Sequence, residues 1–181
     1  MRALVRGLSR TASKFLNLFF ELCWLVPIHV ADDERLVRAI YSPYHVKNNR
    51  LKHQAYDPTP KTDEVSVMRF EHMGARLCKR KAKSFENPAK KVYRGFAVLR
   101  TDAVHASHME VADSRKYYCG HADIRFQMEE LKTLEPGEPL EPPAQKRLRD
   151  LKDALLLASN YVSDPNPQKA SWHGGNLEPP V

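Results

Sequence analysis

The run Val92-Tyr93-Arg94-Gly95-Phe96-Ala97-Val98-Leu99 constrains the fold more than any other stretch of the sequence. It is rich in β-branched and aromatic residues and bounded by polar segments, which predicts a strand. A strand leaves its backbone N–H and C=O groups without partners, so the chain must supply neighbours. One is predicted between Tyr117 and Phe126. There Ala122, Ile124 and Phe126 alternate with His121, Asp123 and Arg125, so one face is apolar and the other titratable. Val65-Ser66-Val67 predicts a third, shorter strand.

Between the strands the periodicity changes. Asp32 or Asp33 caps a predicted helix on which Leu36, Val37, Ile40 and Tyr41 repeat at three and four, and Pro43 stops it. Residues 44–62 are polar, with Pro58 and Pro60, and predict a loop or edge structure. Further helices are predicted over Met73–Lys83, ended by Asn87-Pro88, and from Thr101 or Asp102 to Met109. Gln127–Pro143 carries five glutamates and four prolines, and its second half predicts a stiff acidic connector. A helix from Ala144 to Val162 follows. Leu148, Leu151, Leu155, Ala158 and Val162 form its apolar stripe, and Lys146, Arg147, Arg149 and Lys152 its wet side. Residues 164–181 predict a tail.

The first thirty residues are of another kind. Arg2, Arg6, Arg10 and Lys14 recur every four residues, and Phe15 to Val26 is an apolar run broken by Glu21 and ended by Pro27. It is short for a membrane span. A docked helix, a basic amphipathic helix on a membrane surface, and a cleaved targeting peptide all fit. The expectation is therefore an α+β protein, a small mixed sheet flanked by short helices, with a hydrophobic N-terminal helix and an amphipathic C-terminal helix. Residues 1–31 form the leader, 32–134 the core domain, and 135–181 the linker, helix and tail. At 181 residues with 42% hydrophobic content, one core is the natural limit.

Charge is concentrated. There are 29 Lys and Arg against 22 Asp and Glu, a net of +7. Nine cations lie between Met68 and Arg94: Arg69, Arg76, Lys79, Arg80, Lys81, Lys83, Lys90, Lys91 and Arg94. Only Glu71 and Glu86 oppose them, so this stretch holds the whole excess. Like charges crowded on helical turns repel, and a polyanion relieves the repulsion. Phe70, Phe85 and Tyr93 interleave with the cations and offer faces for base stacking.

The densest titratable set lies between Asp102 and Arg125. His105 and His108 share a helix face with Asp102, and His121 shares a strand face with Asp123. Brought together, His105, His108, His121 and Asp123 form either an acid–base centre or the ligand set of a divalent metal. GxGxxG, GxxxxGK[ST] and GxSxG are absent. Cys23, Cys78 and Cys119 form neither a CxxC nor a disulfide framework, which predicts a reducing, cytoplasmic setting, and Cys119 reads as a strand thiol.

Several segments together form a pattern: Leu36-Val37-Arg38-Ala39-Ile40, Arg50 with Ala55-Tyr56, Glu64-Val65-Ser66-Val67, Tyr93 with Gly95, and His121-Ala122-Asp123-Ile124. In this pattern, spanning Asp32 to Phe126, the sequence resembles small bacterial proteins of unassigned function known as hypothetical open reading frames. The resemblance implies a bacterial or mobile-element origin, with defence among the associated roles, and brings no activity with it. The turn at Arg50 lacks the serines of the pattern.

These features favour a binding module over an enzyme. The leading expectation is an accessory protein that contacts nucleic acid or a ribonucleoprotein assembly through the nine-cation block, with no cofactor. One alternative is a His/Asp enzyme acting on a phosphate-containing substrate, with a divalent metal as its cofactor. The other is a membrane-surface protein held by residues 2–26, while residues 15–26 also offer a surface to a protein partner.

Overall fold

The structure, a computed structural model, describes Cys23 and residues 25–115, 117–135 and 137–180. Nearly all of the predicted basic and hydrophobic leader lies outside these residues. Among the described residues there are eight strands: β1 (Arg35–Ser42), β2 (Val46–Lys47), β3 (Arg50–Leu51), β4 (Glu64–Arg69), β5 (Val92–Arg100), β6 (Glu110–Asp113), β7 (His121–Arg125) and β8 (Asn160–Ser163). Four α-helices and a short 3-10 turn (His53–Tyr56) accompany them there: α1 (Phe70–Ser84), α2 (Thr101–Ala106), α3 (Glu129–Thr133) and α4 (Pro142–Leu157). The main sheet has the order β6-β7-β4-β1-β5-β8, and every neighbouring pair is antiparallel. The α+β class is as expected; the sheet is larger than expected and wholly antiparallel.

Its centre is the β1–β5 ladder, which runs from Arg35↔Arg100 to Ser42↔Val92. The helix expected over 32–41 is thus a strand. Both faces of β1 are covered: Leu36 and Ile40 pack into one core, Val37 and Tyr41 into the other. A strand buried on both sides loses its alternation, and the remaining apolar run mimics helical spacing. Ser42 ends β1 before a cis Pro43, and Asn48 and Asn49, both at positive φ, make the tight turn between β2 and β3.

Two cores flank the sheet. On one face Val65, Val67, Ala97, Leu99, Ala122, Ile124 and Phe126 pack with Val104 of α2, Leu131 of α3 and Leu155 of α4. On the other, Val37, Tyr41, Met68, Phe96 and Val98 pack with Cys78 and Ala82 of α1. The hydroxyl of Tyr41 donates to the carbonyl of Ala82 at 2.8 Å, which fixes α1 over β1. The segment that follows β8 completes this second layer through Leu177 and Trp172, whose ring lies 5.2 Å from Phe96.

Two expectations for the C-terminal region change here. α4 stops at Leu157, and residues 160–163 form β8 on the edge of β5, so Val162 is paired with Phe96 instead of ending a helix stripe. Residues 164–180 are packed, not a loose tail. Lys79 places its ammonium against Asp164 (2.6 Å), the carbonyl of Asn166 (2.9 Å) and that of Ser171 (2.8 Å). No helix among the described residues is long and apolar enough to cross a membrane.

Candidate functional site

The β1–β4 ladder is short. It holds two registered pairs, Leu36↔Arg69 and Val37↔Met68, whereas β4 and β7 are paired from Met68↔His121 to Glu64↔Arg125. Beyond Val37 the side chain of Arg38 takes over. Its Nη1 donates to the carbonyl of Ser66 at 2.6 Å and its Nε to that of Ala55 at 3.1 Å. A carbonyl that the ladder would satisfy is satisfied by a guanidinium instead. The place where the two strands part opens, on the α1 side, into a pocket of about 300 Å³.

Each wall contributes chemistry. β1 supplies Arg38 and Tyr41, β4 supplies Ser66 and Met68, and β7 supplies His121. His45 enters from the turn after β1, Lys81 and Phe85 from α1 and the residue after it, Lys91 from just before β5, and Tyr118 from the β6–β7 loop. Among the described residues no Asp or Glu lines it.

What holds the cations decides what the pocket can do. The Arg38 guanidinium rests on two backbone carbonyls. The ammonium of Lys81 sits 4.2 Å from the ring centroid of Tyr118 and 5.0 Å from that of Phe85. That of Lys91 sits 4.9 Å from Tyr41. Carbonyls and aromatic faces orient a cation without neutralising it. Among the described residues none of the three makes an ion pair, so three positive charges line one cavity without a paired carboxylate. Burial draws the Arg38 guanidinium below its ordinary pKa, but that group stays charged in proteins.

Both imidazoles in the pocket are held below their ordinary pKa. Burial, with help from the Arg38 charge, pulls His45 down to about 4. The Tyr41 N–H donates to its Nδ1 at 3.4 Å. Burial also lowers His121 against the opposing pull of Asp123. The His121 ring stands edge-on to those of Tyr117 and Tyr118. Its buried Nδ1 makes no hydrogen bond and lies 3.8 Å from Asp123 Oδ2. The Ser114 hydroxyl donates to that same carboxylate oxygen, so Ser114 serves Asp123 and is not activated by His121.

The expected basic block divides. Arg69 is fully buried, bound to Glu34 (2.6 and 2.8 Å) and to Asp113 (2.7 Å). Lys79 is fully buried against Asp164, and Lys83 pairs with Glu86 at 3.0 Å. These three are structural and leave the candidate interface. Arg94 is exposed on β5, beside a different pocket that includes Ser42 and Tyr161. Arg76, Arg80 and Lys90 are exposed and make no ion pair among the described residues. Lys81 and Lys91 are half-buried in the pocket. Lys81 and Tyr118 are shared with a neighbouring groove of about 790 Å³ that also includes Arg80, Leu77 and Tyr117.

His105 and His108 do not join His121. His105 pairs with Asp32 at 2.9 Å, and α2 ends at Ala106, leaving His108 exposed outside the helix at φ 59°. Among the described residues no group of three His, Cys, Asp or Glu side chains is placed to hold a metal ion. Cys23 and Cys119 are joined in a disulfide with Cα atoms 5.2 Å apart, contrary to the expectation of unpaired thiols; Cys78 is free and buried.

Arg38 and His45 are the site residues that sequence reasoning missed. The available signal was a lone arginine inside the apolar run Leu36–Ile40, where a cation costs energy unless it is paired or used. Comparison with family models, with curated proteins and with solved structures finds no match for this protein.

Proposed function

We propose that this protein is a non-enzymatic accessory protein that binds nucleic acid, with the Arg38–Lys81–Lys91 pocket and the exposed cations Arg76, Arg80 and Lys90 as its phosphate-contacting surface. One observation supports it above the others: the three pocket cations are held by neutral partners, so their charge is left for a ligand. Nucleic acid is the polyanion that also uses the aromatic groups nearby, since bases stack on exposed rings and phosphates take the cations. Phe85 is 51% exposed, enough of its ring for a base to cover.

The test is binding of a labelled single-stranded 20-mer at three salt concentrations. About four phosphate contacts give a log–log salt slope near −3. The triple variant Arg76→Glu, Arg80→Glu, Lys90→Glu weakens binding at least tenfold. A flat salt response, or an unchanged triple variant, rejects the reading.

A further inference from the structure

The pocket opens on the α1 side of the sheet, and behind Arg38 stand the carbonyl of Ala55 and the fully buried Tyr56. A pocket backed by the sheet suits the end of a strand better than the middle of a continuous phosphodiester backbone. We propose that this pocket is a binding site for a phosphomonoester carried by a nucleotide unit, with Arg38, Lys81 and Lys91 taking the phosphate dianion. The inference rests on the reading above and narrows it to a particular part of the ligand.

Three observations carry it. The first is charge: a phosphomonoester carries close to two negative charges at neutral pH, against one on a phosphodiester, and three cations that make no ion pair among the described residues suit the former. The second is unused hydrogen-bonding capacity. A guanidinium has five N–H donors; Arg38 spends one from Nε and one from Nη1 on protein, and its Nη2 has no partner among the described residues. The third is the way out. The adjoining groove shares Lys81 and Tyr118 with the pocket and continues past Leu77 and Arg80. Those walls suit a sugar and bases leading away from the phosphate. Glu71, the one acid among the described residues of the groove, is engaged by Arg35 at 2.6 Å.

A strand end and a free nucleoside monophosphate share this chemistry, and one experiment separates them. Affinity is measured for one 10-mer in three forms, 5′-phosphorylated, 3′-phosphorylated and hydroxyl at both ends, and for a free nucleoside monophosphate as competitor. The expected result is a preference of about tenfold or more for one phosphorylated end over the hydroxyl-ended strand. In the double variant Lys81→Met, Lys91→Met that ratio falls to about one. Arg38→Met gives the same loss where it folds; the lysine pair keeps the test decisive where it does not. A strand end that outbinds the free nucleotide assigns the source to nucleic acid, and the reverse order assigns it to a nucleotide; both support the site. Equal affinity for all three strands, with no competition by the nucleotide, overturns it. So does a preference that survives in the lysine variant. A hydroxyl-ended strand that fails to bind, beside a nucleotide that binds, refutes the broader nucleic-acid reading and leaves the pocket standing.

Discussion

Among the described residues Arg69 and Lys79 are the two cations that the fold buries completely, and both are matched by carboxylates. The pocket cations are matched by carbonyls and rings. The two groups should answer mutation in opposite ways. Replacing Arg69 by Met strands Glu34, whose carboxyl its guanidinium helps to hold below the usual range, and leaves Asp113 to Arg115 alone. Breaking a buried pair from one side costs about 3–5 kcal/mol, so the urea midpoint falls sharply. A loss under about 1 kcal/mol would mean that water reaches these carboxylates. Lys81→Met removes a repelling charge and no ion pair, and the expected midpoint is unchanged or higher. His45 supplies the pH dependence. Its pKa is about 4 folded against an ordinary 6.5, so between those values the unfolded state binds more protons. Its contribution is whole above pH 6.5 and drains away as pH falls toward 4. At pH 5 the loss is about 2 kcal/mol. Urea unfolding at pH 7.5 and pH 5.0 checks this, with His45→Gln giving the shallower dependence. Equal pH dependence in the two proteins would show that the imidazole is not buried neutral.

Among the elements, β5 and β1 carry the fold, and they show what the sequence can and cannot reveal. β5 is legible from Val92 to Leu99 because its β-branched and aromatic residues sit between polar segments. β7 is legible because His121, Asp123 and Arg125 alternate cleanly with residues of the apolar core. β1 is not, because packing on both faces removes the alternation by which a strand is recognised. β8 is hidden for a different reason: Tyr161 and Val162 extend the apolar spacing of α4, and only pairing with β5 marks them as strand. That pairing depends on Gly95. It stands at φ 150°, opposite Ile40 where the β1–β5 register shifts, and a Cβ there would lie 2.3 Å from the carbonyl oxygen of Val162 and 2.9 Å from the Cα of Ser163. Both atoms are backbone and cannot move alone. Gly95→Ala is expected to detach β8, cost about 2 kcal/mol or more, and release amide protection at residues 160–163 while that of β1 stays. Retained protection at 160–163 would show that the strand shifts outward intact. The site is illegible on the same grounds. Lys81, Lys91 and His121 are visible as residue types, but Arg38 joins them only because β1 and β4 part company after Val37.

For the molecule as a whole, the distribution of charge and the closure of the polypeptide meet at one loop. A run of cations close in sequence becomes three sets in space: buried and paired, exposed, and gathered in the pocket. Sequence adjacency could not sort them, because their partners Glu34, Asp113 and Asp164 come from distant segments. The loop between β6 and β7 connects the paired set to the pocket. Arg115 binds Asp113 twice and reaches the carbonyls of Cys23 and Val26, Arg69 reaches those of Pro27 and His29, and Cys119 closes the disulfide with Cys23 across 96 residues. Next to Cys119 stands Tyr118, the ring on which Lys81 rests in the pocket. A closure of that length restrains the unfolded state by up to about 4–5 kcal/mol. Reduction, or Cys119→Ser, is therefore expected to lower the melting temperature and to free the loop that positions Tyr118. Binding of a phosphorylated strand end should then weaken several-fold, while the salt slope for a hydroxyl-ended strand holds, because Arg76, Arg80 and Lys90 lie on other segments. Thiol counting before and after reduction fixes the redox state in each titration. Equal affinity for the phosphorylated end in both states would show that Arg69 and Arg115 hold the loop without the sulfur bridge.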